Sequence, residues 1–512
     1  MDEAITFGQE ISLKFPNSHL SDTTKIFNKG DVFVLLPGEN FGIDFLINQI
    51  NKKRPKAVIA DQKISQTLKK LPYCWQTFLW KDLKDYVGFI AAGFYRNPTH
   101  EMDVTAVTGT DGKTTTVNLA ASIFANSFED TAAIGTLGVI VYKKNNKKCL
   151  LKDYSFSDLT TPSAVVLQNI FNRLKKEKIR KVFLEASSVG IITNRLQGVR
   201  IKNAIFTNLG NDHLDLHGSL ENLAFSKSQL FAHPSLNNII APQKKQSQDS
   251  VVDLVYNEIK KSGARKIFVG VKTLRNKGQG SIPDILIVER TLSRSGTCVS
   301  VIKNNEESES FYVNMFGQHN LENLSLVAGL LSEDLMVSHA NRLLGNSRLP
   351  EGRFELIEMK DLPLVCIDYA HTPESLKVTL QTLIRMKGKI HCKLICVFGC
   401  GGNRDTNKRP IMGRVASHYA DRGYITSDNP RDEPITKISE EIMSGITHGK
   451  KQEWTQIPDR KKAIEVAIME ASKTDIVLIA GKGHEKTQLI NGLKLKFCDK
   501  KVVTEFIRRS GE

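Results

Sequence analysis

Residues 109 to 116 read Gly-Thr-Asp-Gly-Lys-Thr-Thr-Thr, directly after the apolar run Val104 to Val107 and before a helical stretch that continues through Phe124. Such a loop at a helix N-terminus offers backbone N–H groups to phosphate oxygens; the Lys113 ammonium neutralises them, and the Thr114 hydroxyl can hold Mg²⁺. The common phosphate loop has glycine where this chain has Val107, so the motif is a shortened variant. Its candidate nucleotide contacts are Gly109, Thr110, Asp111, Gly112, Lys113, Thr114 and Thr115.

Two further motifs follow apolar runs: Glu185-Ala186-Ser187-Ser188 after Lys181 to Leu184, and Thr207-Asn208-Leu209-Gly210-Asn211-Asp212-His213-Leu214-Asp215 after Ala204 to Phe206. A carboxylate at Glu185 and an imidazole at His213, each just past a strand, can converge on a metal at the sheet edge that carries the phosphate loop. Mg²⁺ is the natural ion beside ATP. Taken singly, Glu185 reads equally as a helix-capping or salt-bridged acid, and His213 as a surface partner of Asp212 or Asp215.

The elements that must position these residues fall into three blocks. Residues 1–100 are mixed α/β, with strand-like Asp31 to Leu36 and Ala57 to Ala60. Residues 101–348 alternate β-rich and helical runs, which predicts a mainly parallel, doubly wound sheet with ligands at the carboxyl ends of its strands. The stretch Gln243 to Asn276 is polar and charged, and is expected to include an inserted surface element. Residues 349–512 open on a turn-rich hinge, Leu349 to Arg353, and alternate again, predicting a second, Rossmann-like α/β domain. The expected fold is therefore α/β in three domains.

Composition is that of a globular protein: 512 residues, 40% hydrophobic, with no apolar run long enough for a signal peptide or membrane span. The cytosol is the expected compartment, and eight scattered cysteines suit its reducing conditions. Cys392, Cys396 and Cys400 beside His391 lack the paired spacing of a zinc site and read as core residues. The net charge of +16 carries no interleaved aromatics, so it reads as a solvated surface favouring phosphate-rich substrates, with no nucleic acid expected.

In chain order, these motifs with Ser226-Lys227, G-Q-H-N (Gly317 to Asn320), G-R-F-E (Gly352 to Glu355) and D-Y-A-H-T-P (Asp368 to Pro373) resemble those of the Mur ligases, over essentially the whole chain from about residue 20. Those enzymes activate a carboxylate with ATP and couple it to an amine. The third block is similar to the branch that takes meso-diaminopimelate, through Gly401-Gly402-Asn403-Arg404-Asp405, Asp428-Asn429-Pro430-Arg431 and Ala480-Gly481-Lys482-Gly483-His484-Glu485.

The resemblance implies an N-terminal uridine-binding domain, a central P-loop ATPase domain, and a monomer that uses UDP-N-acetylmuramoyl-L-alanyl-D-glutamate. It implies that Lys113, Glu185, His213 and Lys227 are catalytic, with Thr114, Glu185, His213 and a carbamylated Lys227 holding Mg²⁺. Asn320, Arg353 and Asp368 would contact the nucleotide. Thr23, Thr160, Thr161, Ser187, Thr193 and Arg195 would hold the UDP-muramoyl peptide, with Pro37 to Phe41 as a uridine loop. Arg404, Asp428, Asn429, Pro430, Arg431, Gly481 and Glu485 would hold the amino acid. Four positions depart from the family pattern: Thr23-Thr24 for Ser-Arg, Val189 for His, and Thr193 for Gln.

Physical chemistry favours the same amine. The second amino-acid head of diaminopimelate offers a carboxylate to a guanidinium fork and an ammonium to Glu485, whereas the bare distal ammonium of lysine would be repelled by Arg431. A lysine-adding ligase, a folylpolyglutamate synthetase and a nucleic-acid-dependent or regulatory P-loop ATPase are the alternatives.

Overall fold

In the N-terminal block successive side chains of the two apolar runs near residues 32–35 and 57–60 enter different cores. Val32 and Val34 pack with Ala57, Ile59, Ile90 and Phe94. Phe33 and Leu35 pack with Val58, Ala60, Ile47 and Ile50. A sheet buried on both faces needs helices on both, and parallel pairing with crossover helices supplies them. The computed structural model has that arrangement, and describes residues 1–24, 27–36, 43–69, 75–144, 148–151, 159–210, 214–244, 250–273, 282–358, 360–388 and 391–510. Leu20–Ser21, Val32–Leu35, Ala57–Asp61 and Gln76–Trp80 form a four-stranded, all-parallel sheet. Helices Asp2–Lys14 and Leu83–Phe94 approach so closely that a Cβ on Gly8 would stand 2.1 Å from the Ile90 carbonyl oxygen.

Two compact units divide the chain: Met1–Leu209 with Ser219–Phe268, and Gly210–Gly218 with Val269–Glu512. Besides the N-terminal sheet, the first unit holds the parallel strands Asn238–Pro242, Asn203–Phe206, Asp103–Thr108, Lys181–Glu185 and Thr131–Gly135, in that spatial order. Gly138–Tyr142 and Lys148–Leu150 extend them antiparallel. Asp103–Thr108 is central, flanked by Lys181–Glu185 and Asn203–Phe206, so the three motif-bearing loops leave the same edge of the sheet. The stretch expected to include an inserted surface element holds core elements in its described part. Val252–Lys261 is a helix whose Val252, Val255, Tyr256 and Ile259 are buried in the main core, and Arg265–Lys272 is a strand. The i, i+3, i+4, i+7 spacing of those four residues makes one apolar face that average polarity conceals.

In the second unit Ile285–Ser293 and Gly296–Lys303 form an antiparallel hairpin, and helix Gln318–Leu330 follows strand Phe311–Val313. A six-stranded sheet then runs Glu355–Ile357, Leu364–Asp368, Ile476–Ala480, Leu394–Phe398, Arg422–Ile425, Trp454–Gln456, parallel except at its first strand. Cys366 and Cys396 are core residues of this sheet, and the buried Cys400 thiol points at the Met412 sulfur 3.7 Å away. Arg460 is fully buried and meets both oxygens of Asp499 at 2.8 Å, a paired charge that makes its burial tolerable. Among the described residues no helix is long and apolar enough to cross a membrane.

Candidate active site

The phosphate loop is held open by its own sheet neighbours. Gly109 has φ 147°, and a Cβ there would stand 1.8 Å from the Thr207 hydroxyl. Thr207 Oγ1 donates to the Asp111 carbonyl at 2.6 Å. The Asn208 side chain accepts from Asp111 N–H at 2.9 Å and donates to its carbonyl at 3.1 Å. Gly112, φ 83°, precedes helix Lys113–Ser127, whose first N–H groups have no partner inside the helix and suit an anion. Lys113 Nζ lies on the Gly109 and Thr110 carbonyls, at 2.8 and 2.6 Å.

Strand register brings Glu185 to this loop, and the helix Leu220–Ser228 brings Lys227. Glu185 pairs with Val107 at the end of the adjacent strand. Its buried carboxylate accepts from the Thr114 hydroxyl at 2.9 Å, and from Thr136 N–H and hydroxyl at 2.9 and 3.1 Å. Lys227 is 3% exposed, enclosed rather than on a helix surface, and its Nζ donates to the Gly109 carbonyl at 2.8 Å. A carboxylate and hydroxyls gathered beside a phosphate loop are the hard oxygen donors that Mg²⁺ takes, so Thr114 and Glu185 fit that ion. His213 lies outside the described residues.

Thr160, Thr161, Ser187 and Arg195 also come together. Thr161 Oγ1 donates to the Glu185 carbonyl at 2.8 Å and lies 3.0 Å from Ser187 Oγ, while Arg195 Nη1 donates to the Thr161 carbonyl at 2.9 Å. Thr160 is 3.4 Å from the Thr136 hydroxyl. Asp22 joins them: it hydrogen-bonds Ser163 and faces Arg195, and burial pushes its carboxyl up. Its Oδ1 is buried without a partner among the described residues. Thr23, the next residue, turns its carbonyl to Ser21 Oγ at 2.9 Å. Thr193 is exposed, with its hydroxyl on the Val189 carbonyl at 2.6 Å. Pro37 to Phe41 lie outside the described residues.

In the second unit Asn320 and Asp368 both brace the Gly352–Glu355 turn. Asn320 Nδ2 donates to the Phe316 carbonyl at 2.8 Å, and Phe316 stacks on Phe354. Phe354, at φ 46°, gives its N–H to Asp368 at 3.0 Å, and the Thr379 hydroxyl donates to the other Asp368 oxygen at 2.7 Å. The Arg353 guanidinium lies 4.3 Å over the Tyr369 ring.

At the carboxyl ends of the six-stranded sheet a cavity of about 330 Å³ is lined by Arg404, Asp428, Asn429, Arg431, Gly481 and Glu485. Pro430 does not line it; its carbonyl oxygen would be 1.9 Å from a Cβ on Gly402. Gly481 is required by fit, since a Cβ there would stand 2.6 Å from Asp428 Oδ2. Arg431 holds φ 53° through two backbone hydrogen bonds, its N–H to the Leu489 carbonyl at 3.0 Å and its carbonyl from Asn491 N–H at 2.7 Å. Its Nη1 donates to the Gly402 carbonyl at 2.7 Å. Burial, then the Arg404 guanidinium, push Arg431 below its ordinary value, with Asp428 and Glu485 opposing. Two guanidiniums at one cavity repel until a carboxylate comes between them, while Asp428 and Glu485 suit an ammonium.

Sequence reasoning gave no role to Thr136, Asn208, Asp22 or Lys482. Asn208 and Lys482 lie inside motifs and Asp22 directly precedes Thr23-Thr24, so their presence was visible; which atoms they brace was not. Thr136 carried no local signal.

Two family models match the chain: Mur ligase middle domain over residues 107–331, and Mur ligase, glutamate ligase domain, over 352–483. The UDP-N-acetylmuramoyl-L-alanyl-D-glutamate–2,6-diaminopimelate ligase of Janthinobacterium sp. (strain Marseille) is 33% identical, over 94% of this chain and 93% of the relative. The protein of the same name from Prochlorococcus marinus subsp. pastoris is 32% identical, over 97% and 94%. A solved structure of a ligase of that name superposes with TM-score 0.62 and 27% identity, covering 96% of this chain and 95% of its own. Matched in order by both models, and similar to these relatives along nearly its whole length, the chain belongs to the Mur ligase family.

Proposed function

We propose that this ATP-dependent amide ligase joins meso-diaminopimelate to the D-glutamate carboxylate of UDP-N-acetylmuramoyl-L-alanyl-D-glutamate, as a cytoplasmic monomer making peptidoglycan precursor. The observation that carries the choice of amine is the cavity whose lining combines Arg404 and Arg431 with Asp428 and Glu485, charges that match a free amino-acid head. The names of the full-length relatives support the same amine. The domains are taken as residues 1–100, 101–348 and 349–512, binding the UDP-muramoyl peptide, ATP and the amino acid respectively.

The γ-phosphoryl group of ATP passes to the D-glutamate carboxylate, giving an acyl phosphate and ADP. The amine attacks the acyl carbon, loses a proton, and the tetrahedral intermediate expels inorganic phosphate to leave the amide. Lys113 leaves the Gly109 and Thr110 carbonyls to neutralise the transferring phosphate, and the loop N–H groups bind its neighbours. Thr114, Glu185, His213 and a carbamylated Lys227 would hold Mg²⁺, which would neutralise phosphate charge. Arg195, with Thr161 and Ser187, orients the muramoyl peptide together with Thr23, Thr160 and Thr193. Asn320, Arg353 and Asp368 contact the nucleotide. Pro430 shapes the amine site without lining it.

Mass spectrometry of the product, with meso-diaminopimelate and L-lysine each supplied alone, tests the amine. A tripeptide formed with diaminopimelate supports the reading, and one formed with lysine alone overturns it. Labelling by ¹³C-bicarbonate tests the Lys227 carbamate separately.

A further inference from the structure

Lys482 is a buried cation that the mechanism leaves unused. It is fully buried, lies next to Gly481, and does not line the amine cavity. Its Nζ donates to Glu485 Oε2 at 2.7 Å and to Asn429 Oδ1 at 3.1 Å. Both partners do line the cavity. Asn429 Oδ1 also accepts from Leu489 N–H at 3.0 Å, and Nδ2 donates to the same Glu485 oxygen at 2.9 Å. The amide has one orientation available: flipped, it would point NH₂ at an ammonium and an N–H, and its oxygen at a carboxylate. Lys482 thereby fixes Asn429 and takes Glu485 Oε2, while no described residue hydrogen-bonds Oε1. A buried ammonium also offsets the carboxylate in front of it, so the cavity presents less negative charge than its lining suggests.

We propose that Lys482 is a positioning residue that sets the selectivity of the amine site: it orients Asn429 and Glu485 for a zwitterionic amino-acid head and biases the cavity against a bare ammonium. The inference rests on the reading that this cavity takes diaminopimelate. Diaminopimelate carries two carboxylates and two ammoniums, and lysine one carboxylate and two ammoniums; removing a cation behind the site therefore relieves lysine more than diaminopimelate.

The test uses the full chain with K482M and K482Q. Loss of a charge-assisted hydrogen bond should raise KM for diaminopimelate about tenfold or more, with KM for ATP and kcat within about threefold. The ratio of kcat/KM for diaminopimelate over lysine should fall about tenfold, and adding E485Q to K482M should do no further harm to diaminopimelate KM beyond that of E485Q alone. K482R, which keeps the charge, should retain most of the ratio. Where the neutral variants do not fold, N429D reads the same network: its added negative charge must lower the ratio too. Unchanged diaminopimelate KM and ratio, or equal damage to both KM values and kcat, overturns the proposal. If the wild type makes no tripeptide with any amine, the reading of the cavity falls and the inference with it; if only the variants behave as wild type, the inference alone falls.

Discussion

In the proposed reading the choice of amine turns on Arg431, which lines the cavity at the sheet edge. Its guanidinium is pinned by the Gly402 carbonyl and crowded by Arg404, so it stands ready for a carboxylate. Arg431→Met should raise KM for diaminopimelate about 10- to 100-fold, the range for a charge-assisted contact, and should penalise lysine less. Steady-state kinetics with both amines checks this, and an equal loss for the two would contradict it. His484 makes a second residue-level prediction. Burial, then Arg353, Lys486, Lys482 and His371, push its imidazole from 6.5 down to about 3. The folded chain keeps the ring neutral while the unfolded chain protonates it, so its stabilising share is full above pH 6.5 and is lost as pH falls towards 3. The slope is at most about 1.4 kcal/mol per pH unit. His484→Phe keeps a ring against Tyr369, 5.1 Å between centroids, and removes the titration. Its Tm should therefore fall less than the wild-type Tm between pH 6.5 and 4; parallel falls would sink the assignment.

At the scale of elements, the phosphate loop is shaped by the strand beside it as much as by its glycines. Asn208→Ala deletes both side-chain bonds to Asp111, about 1 kcal/mol each, and should raise KM for ATP about 5- to 30-fold without unfolding the chain. Unaltered ATP KM would mean that the loop holds its form alone. The loop itself was legible because strand, glycines, lysine and helix are contiguous. Strands such as Val32–Leu35 and Ala57–Asp61 were legible for the same reason, to within a residue or two. Val252–Lys261 was misread because a polar average masked four apolar residues at helical spacing.

Over the whole molecule, order of motifs revealed more than any one of them. The cavity proposed for the amine draws residues from segments near 404, 428 and 481, and six of the seven residues expected there line it because parallel strands end together at one sheet edge. What stayed hidden was the bracing between distant segments: Arg460 with Asp499, Arg409 with Glu433 and Glu441, and Lys482 behind Asn429. Such pairs leave no periodic trace, since only the fold brings their partners together. The most direct test of the account is phosphate release from ATP, measured with the UDP-muramoyl dipeptide and diaminopimelate together and with each omitted. A ligase that passes through an acyl phosphate should release phosphate at full rate only with both. Comparable release with neither substrate, or stimulation by nucleic acid, would contradict it.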